Sequence, residues 1–72
     1  MQTSSISSGA DAIRARRLDL GLTQAQVAER AGISVRALRY IERGHVIPRR
    51  ATAVLLGAAL DLPPASIRGT DG

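Results

Sequence analysis

Residues 23–44 read TQAQVAERAGISVRALRYIERG. The first four, Thr23-Gln24-Ala25-Gln26, have the form of a capping box, in which the Thr23 hydroxyl accepts a backbone N–H and the Gln26 side chain reaches back. A helix is therefore predicted to start there and run to about Ala31, with Val27, Ala28 and Ala31 inward at helical spacing. Gly32 supplies the left-handed residue that lets the chain turn. Ser34 then caps a third helix that runs to Arg43 and is ended by Gly44. Stepping about 100° per residue from Leu38 puts Ser34, Leu38, Ile41 and Glu42 on one side of that helix and Arg36, Arg39, Tyr40 and Arg43 on the other. The second face carries three guanidiniums and a phenol with no carboxylate, an arrangement suited to a polyanion.

Outward from this unit, Ala10, Ile13, Arg17 and Leu20 mark one stripe of a first helix over residues 10–20, with Gly21 as its C-terminal cap. After a loop through His45, Val46, Ile47 and Pro48, residues 51–60 are rich in helix formers and apolar on several sides, which predicts a fourth helix. Pro63 and Pro64 break it, and residues 64–67 form a last short turn that tucks Ile67 onto the core. No internal repeat and no strand-like alternation appears. The fold class is thus all-α, a four- to five-helix domain over residues 10–68. A polar, uncharged arm precedes it over residues 1–9, and a frayed end or the start of a linker follows over residues 69–72.

Composition limits what such a domain does. A chain of 72 residues buries only about 60% of its unfolded surface, which leaves little room for a deep enzymatic cleft. Apolar residues make up 44%, but Tyr40 is the sole aromatic, so Ala, Val, Ile and Leu must build the core. With no cysteine there is neither a disulfide framework nor a thiolate zinc site. His45 has no partner at metal-ligand spacing, and no paired nucleophile and base, phosphate loop or cofactor signature is present; the expectation is no enzyme, no metal and no cofactor. No apolar run reaches the roughly 18 residues of a membrane span, and residues 1–9 lack the pattern of a signal peptide, so a cytoplasmic protein is expected. The net charge is +4 and all ten basic residues are Arg, whose flat fork of donors matches phosphate oxygens and guanine edges.

Together these residues resemble the helix-turn-helix domains of the lambda repressor and Cro type, also called XRE-like, over about residues 9–67. The resemblance rests on the small Ala28, the turn Gly32 and the apolar Val27, Ala31, Ile33, Leu38 and Ile41. The flanking phrases Gly21-Leu22-Thr23-Gln24 and Ile41-Glu42-Arg43-Gly44, followed by Pro48, extend it. It implies a lambda-repressor-like fold and a sequence-specific duplex DNA-binding transcriptional regulator of bacterial or phage type, nucleoid-associated when bound.

Carried over residue by residue, the resemblance makes Ser34, Val35, Arg36 and Tyr40 the base-facing positions, with Arg36 bidentate to guanine and Val35 on a thymine methyl. Tyr40 has the alternative of packing at a subunit contact. Thr23 and Gln24 at the start of helix two, with Arg39, Arg43, Arg49 and Arg50, fall to phosphates, and Gln24 also buttresses the reading helix. Arg17 and Glu42 lie on inward stripes, and the resemblance pairs them as an ion pair between helices one and three.

Helix four departs from the family. Val54, Leu55 and Ala58 are apolar where charge is common, and Gly57 stands where a small Ala is usual. An apolar surface of this kind is expected to be covered, by a homodimer or a protein partner through helix four and residues 62–67, unless these side chains simply lie on the surface. Two other readings follow. The chain is an antitoxin-like or scaffold interaction module using helix four, or it is the amino-terminal reader of a longer regulator.

Overall fold

The computed structural model describes residues 9–68, which form five helices: α1 Gly9–Asp19, α2 Gln24–Ala31, α3 Val35–Glu42, α4 Arg50–Leu60 and α5 Pro64–Arg68. Among the described residues there is no strand.

Local chemistry accounts for the boundaries around the central pair. Thr23 sits in extended backbone (φ −83°, ψ 165°); its hydroxyl accepts the Gln26 N–H at 3.0 Å, and Gln26 Oε1 accepts the Thr23 N–H at 2.8 Å. Both donors are among the four that a helix start leaves orphaned. Gly32 (φ 73°) ends α2, and the Ile33 N–H returns to the Ala28 carbonyl at 3.0 Å, which satisfies one of the last free acceptors. Two residues later the Ser34 hydroxyl accepts the Ala37 N–H at 3.0 Å and α3 begins.

The core is aliphatic throughout. Ile13, Val27, Leu38, Leu56, Leu60 and Ile67 are its largest fully buried side chains, and Ala28, Ala31, Ala53 and Ile41 fill between them. Short side chains on both α2 and α4 let these helices lie close, and α3 packs against α1 and α2, with its outer side left open. Leu22, Ile33, Val35, Ala59 and Leu62 cover the core's edge.

Several sequence-based boundaries shift. Gly9, assigned to the polar arm, is the first residue of α1 and is buried: a Cβ there would lie 1.5 Å from the Ile67 carbonyl oxygen, so only glycine fits where α1 meets α5. Residues 1–8 and 69–72 of the expected arm and frayed end lie outside the described residues. Leu20 was expected on the inner stripe of helix one but is 42% exposed, beyond the helix end. The left-handed Gly21 (φ 71°) turns the chain before Leu20 can face inward, and the Leu22 N–H bonds the Arg17 carbonyl at 3.0 Å, which brings Leu22 onto the core instead. Helix α3 stops at Glu42 with Arg43 as its cap, and α4 starts at Arg50, one residue before the expected position.

Gly57 is likewise fixed by a close approach of the chain. A Cβ at that position would come within 2.3 Å of the Leu62 carbonyl oxygen, so the turn from α4 into α5 folds back directly over it. That turn passes through Asp61, the one non-glycine residue with positive φ (61°) among those described, and the Arg16 Nε donates to the adjacent Leu60 carbonyl at 2.9 Å.

Candidate nucleic-acid interface

Helix α3 is held by its apolar side and by one buried carboxylate. Leu38, Ile41 and Glu42 face inward, while Arg36, Arg39 and Tyr40 on the helix, with Arg43 at its C-cap, are exposed. Ser34, at the N-cap, is exposed with its hydroxyl engaged on Ala37; Val35 is half-buried against the core, so only part of its side chain faces outward. Thr23 is exposed and Gln24 half-buried at the start of α2; Arg49 and Arg50 are exposed at the start of α4.

Glu42 is 5% exposed, and a bare carboxylate there would be costly. Its oxygens instead accept from Arg17 Nε at 2.7 Å, Arg17 Nη2 at 3.0 Å and Gln24 Nε2 at 3.1 Å. The Arg17 fork is thus bidentate, and its remaining Nη1 donates to the Leu22 carbonyl at 3.1 Å. Three elements, α1, α2 and α3, converge on one anion.

The resemblance made Gln24 a phosphate ligand that also buttresses the reading helix, and Arg39 a separate phosphate ligand; that Glu42 is the Gln24 partner was not legible in the sequence. An ionised carboxylate only accepts, so Glu42 dictates which way the Gln24 amide points. The amide carbonyl is left facing Arg39, whose Nε donates to it at 3.4 Å. A relay therefore runs from the buried pair to the surface of α3. Its members are 15 to 25 residues apart along the chain, so no periodicity could reveal it.

Charge is segregated across the molecule. The ion pairs among the described residues engage Arg14, Arg16 and Arg17, with Asp11, Asp19, Asp61 and Glu42. Arg36, Arg39, Arg43, Arg49 and Arg50 take part in none of them, and the sequence from Arg43 to Leu60 contains no acidic residue. These five guanidiniums are exposed without an ion-pair partner among the described residues, and Tyr40, exposed on α3 with Arg36 and Arg39, has its ring edge-to-face with His45 at 6.3 Å. Among the described residues no group of three or more His, Cys, Asp or Glu could hold a metal ion, and no helix is long and apolar enough to cross a membrane.

A second surface stands apart. On α4 the exposed residues Ala51, Val54, Leu55 and Ala58 follow i, i+3, i+4, i+7 spacing, so they form a single apolar stripe, with Val54 and Leu55 nearly half exposed.

A family model described as helix-turn-helix (HTH_3) matches residues 13–67, more than half of the chain. No curated protein matches it.

Proposed function

Because the chain belongs to the helix-turn-helix family of the lambda repressor type, a family of DNA-binding domains, we propose that it reads duplex DNA in a sequence-specific way and acts as a transcriptional regulator. The observation that carries this reading is the outer side of α3, where Arg36, Arg39, Tyr40 and Arg43 are exposed together with no carboxylate among them. Laid in a major groove, α3 presents Ser34, Val35, Arg36 and Tyr40 to base edges, and Arg36 bidentate to guanine discriminates by about 1–3 kcal/mol. Thr23, Gln24, Arg39, Arg43, Arg49 and Arg50 hold phosphates on either side and fix the register. The Arg17–Glu42 pair orients α3 through Gln24. The DNA-binding unit spans residues 10–68 with Gly9 added, and it works in the cytoplasm.

A lone module makes few phosphate contacts, so we assign a homodimer, through the α4 stripe and residues 62–67, that sets two copies of α3 about 34 Å apart on a near-palindromic site. The exposed stripe equally favours a second reading, an interaction module that uses α4 to grip another protein.

Selection of bound sequences from a random duplex pool tests the first reading: an enriched motif supports it, and recovery of random sequence refutes it. Replacing Arg36 and Arg39 with Ala should abolish duplex binding and leave association through α4 intact. Leu55→Asp should abolish association through α4 and, by splitting the dimer, weaken duplex binding while leaving the preferred sequence unchanged.

A further inference from the structure

The loop between α3 and α4 combines features that the assignments above do not use. Ile47 is 71% exposed and Val46 47%, two adjacent large apolar side chains left in water. Their exposure is imposed by the backbone around them. The His45 N–H bonds the Tyr40 carbonyl at 3.0 Å, which ties the loop's start to the end of α3, and Pro48, the next residue, is buried and pins its end. Around the pair stand Arg43, His45, Arg49 and Arg50, all exposed, with no carboxylate in the segment. The contact between the Tyr40 and His45 rings continues the proposed reading face into the loop.

An apolar tip framed by guanidiniums fits a surface where anionic and apolar groups alternate. The flank of a DNA groove is such a surface, phosphates outside and deoxyribose carbons between them. Arg49 lies two residues beyond Ile47, so at most about 7 Å of chain separates their Cα atoms. Successive nucleotides on a strand rise about 3.4 Å. A phosphate held by Arg49 therefore leaves Ile47 within reach of sugars on the same strand.

We propose that Val46 and Ile47 pack on the deoxyribose edge of the duplex beside the groove entered by α3, adding a non-ionic contact to the phosphate clamps around it. This rests on the DNA-binding reading above. The contact contributes affinity without releasing counterions, so it adds a part of the binding that salt does not screen.

The test measures fluorescence anisotropy of a labelled duplex, recovered from the random pool by the wild-type protein, over a series of salt concentrations. Ile47→Ser should weaken binding about tenfold at every salt concentration and leave the slope of log K against log salt unchanged. Ile47→Arg should steepen that slope by about 0.9, because a cation now sits over the strand. The side chain is outside the core, so circular dichroism of both variants should match the wild type. Wild-type protein that binds no duplex overturns the DNA reading and this inference together. Wild-type binding with Ile47→Ser unaffected overturns this inference alone. Conversion of a wild-type dimer to monomer by Ile47→Ser in sedimentation also overturns it, by assigning the loop to a second copy. So does Ile47-dependent retention on phosphatidylglycerol vesicles with duplex affinity unchanged.

Discussion

Glu42→Ala removes an anion that three donors share at 2.7, 3.0 and 3.1 Å, and it does so where the Arg17 and Glu42 side chains are only 12% and 3% exposed. Deleting one partner of a buried pair costs about 3–5 kcal/mol, because the other charge is left desolvated and unpaired. Arg17 keeps its bond to the Leu22 carbonyl and a sliver of solvent access, which sets the expectation at the lower end, about 3 kcal/mol. Domains hold about 0.05–0.15 kcal/mol per residue, so a chain of this length has roughly 4–11 kcal/mol in all. A single methyl-for-carboxylate change is therefore expected to remove a large share of it. Urea unfolding followed by far-UV circular dichroism reads the loss as a lower midpoint at unchanged slope. The double variant Arg17→Met with Glu42→Leu separates burial of charge from loss of packing, and it should recover most of the stability. A loss below about 1 kcal/mol in Glu42→Ala, or a double variant no more stable than the single one, would refute the reasoning.

Gly57→Ala should destabilise by about 1–3 kcal/mol despite alanine's better helix propensity, because its Cβ would press on the Leu62 carbonyl; thermal unfolding that shows a gain contradicts the close approach. Asp61→Gly should stabilise by about 0.5–1 kcal/mol, since glycine takes the left-handed backbone freely and the Asp61 carboxylate, 94% exposed and 3.8 Å from Arg16, holds almost nothing; chemical denaturation reads the sign. Arg49→Ala should weaken binding alike on all duplex sequences and reduce the salt slope by about 0.9, whereas Arg36→Ala should relax preference at one base pair; titrations on cognate and altered duplexes tell the two apart.

The features legible in the sequence are those whose physics acts within one helical turn. Thr23 and Gln26 spell out a helix start in four letters, Ser34 does the same for α3, and the inward set Val27, Ala28, Ala31, Leu38 and Ile41 follows from spacing alone. These suffice for the helix-turn-helix. Leu20 misled because periodicity continues on paper where a left-handed glycine stops it in space. Gly9 and Gly57 have no local signal at all: each is small because a carbonyl from a later segment, at Ile67 or Leu62, occupies the room a side chain would need. Gln24 was placed at the proposed interface, but its bond to Glu42 depends on how α2 and α3 cross. That angle is set by the whole core and not by either helix.

An interior without a benzene or indole ring leaves the molecule optically quiet wherever it is densest. Its one phenol stands on the outer side of α3 with the His45 imidazole against it. Intrinsic emission therefore comes from a single address, so quenching or anisotropy of the unlabelled domain follows events at that address, while unfolding of the hydrocarbon centre must be watched through the backbone.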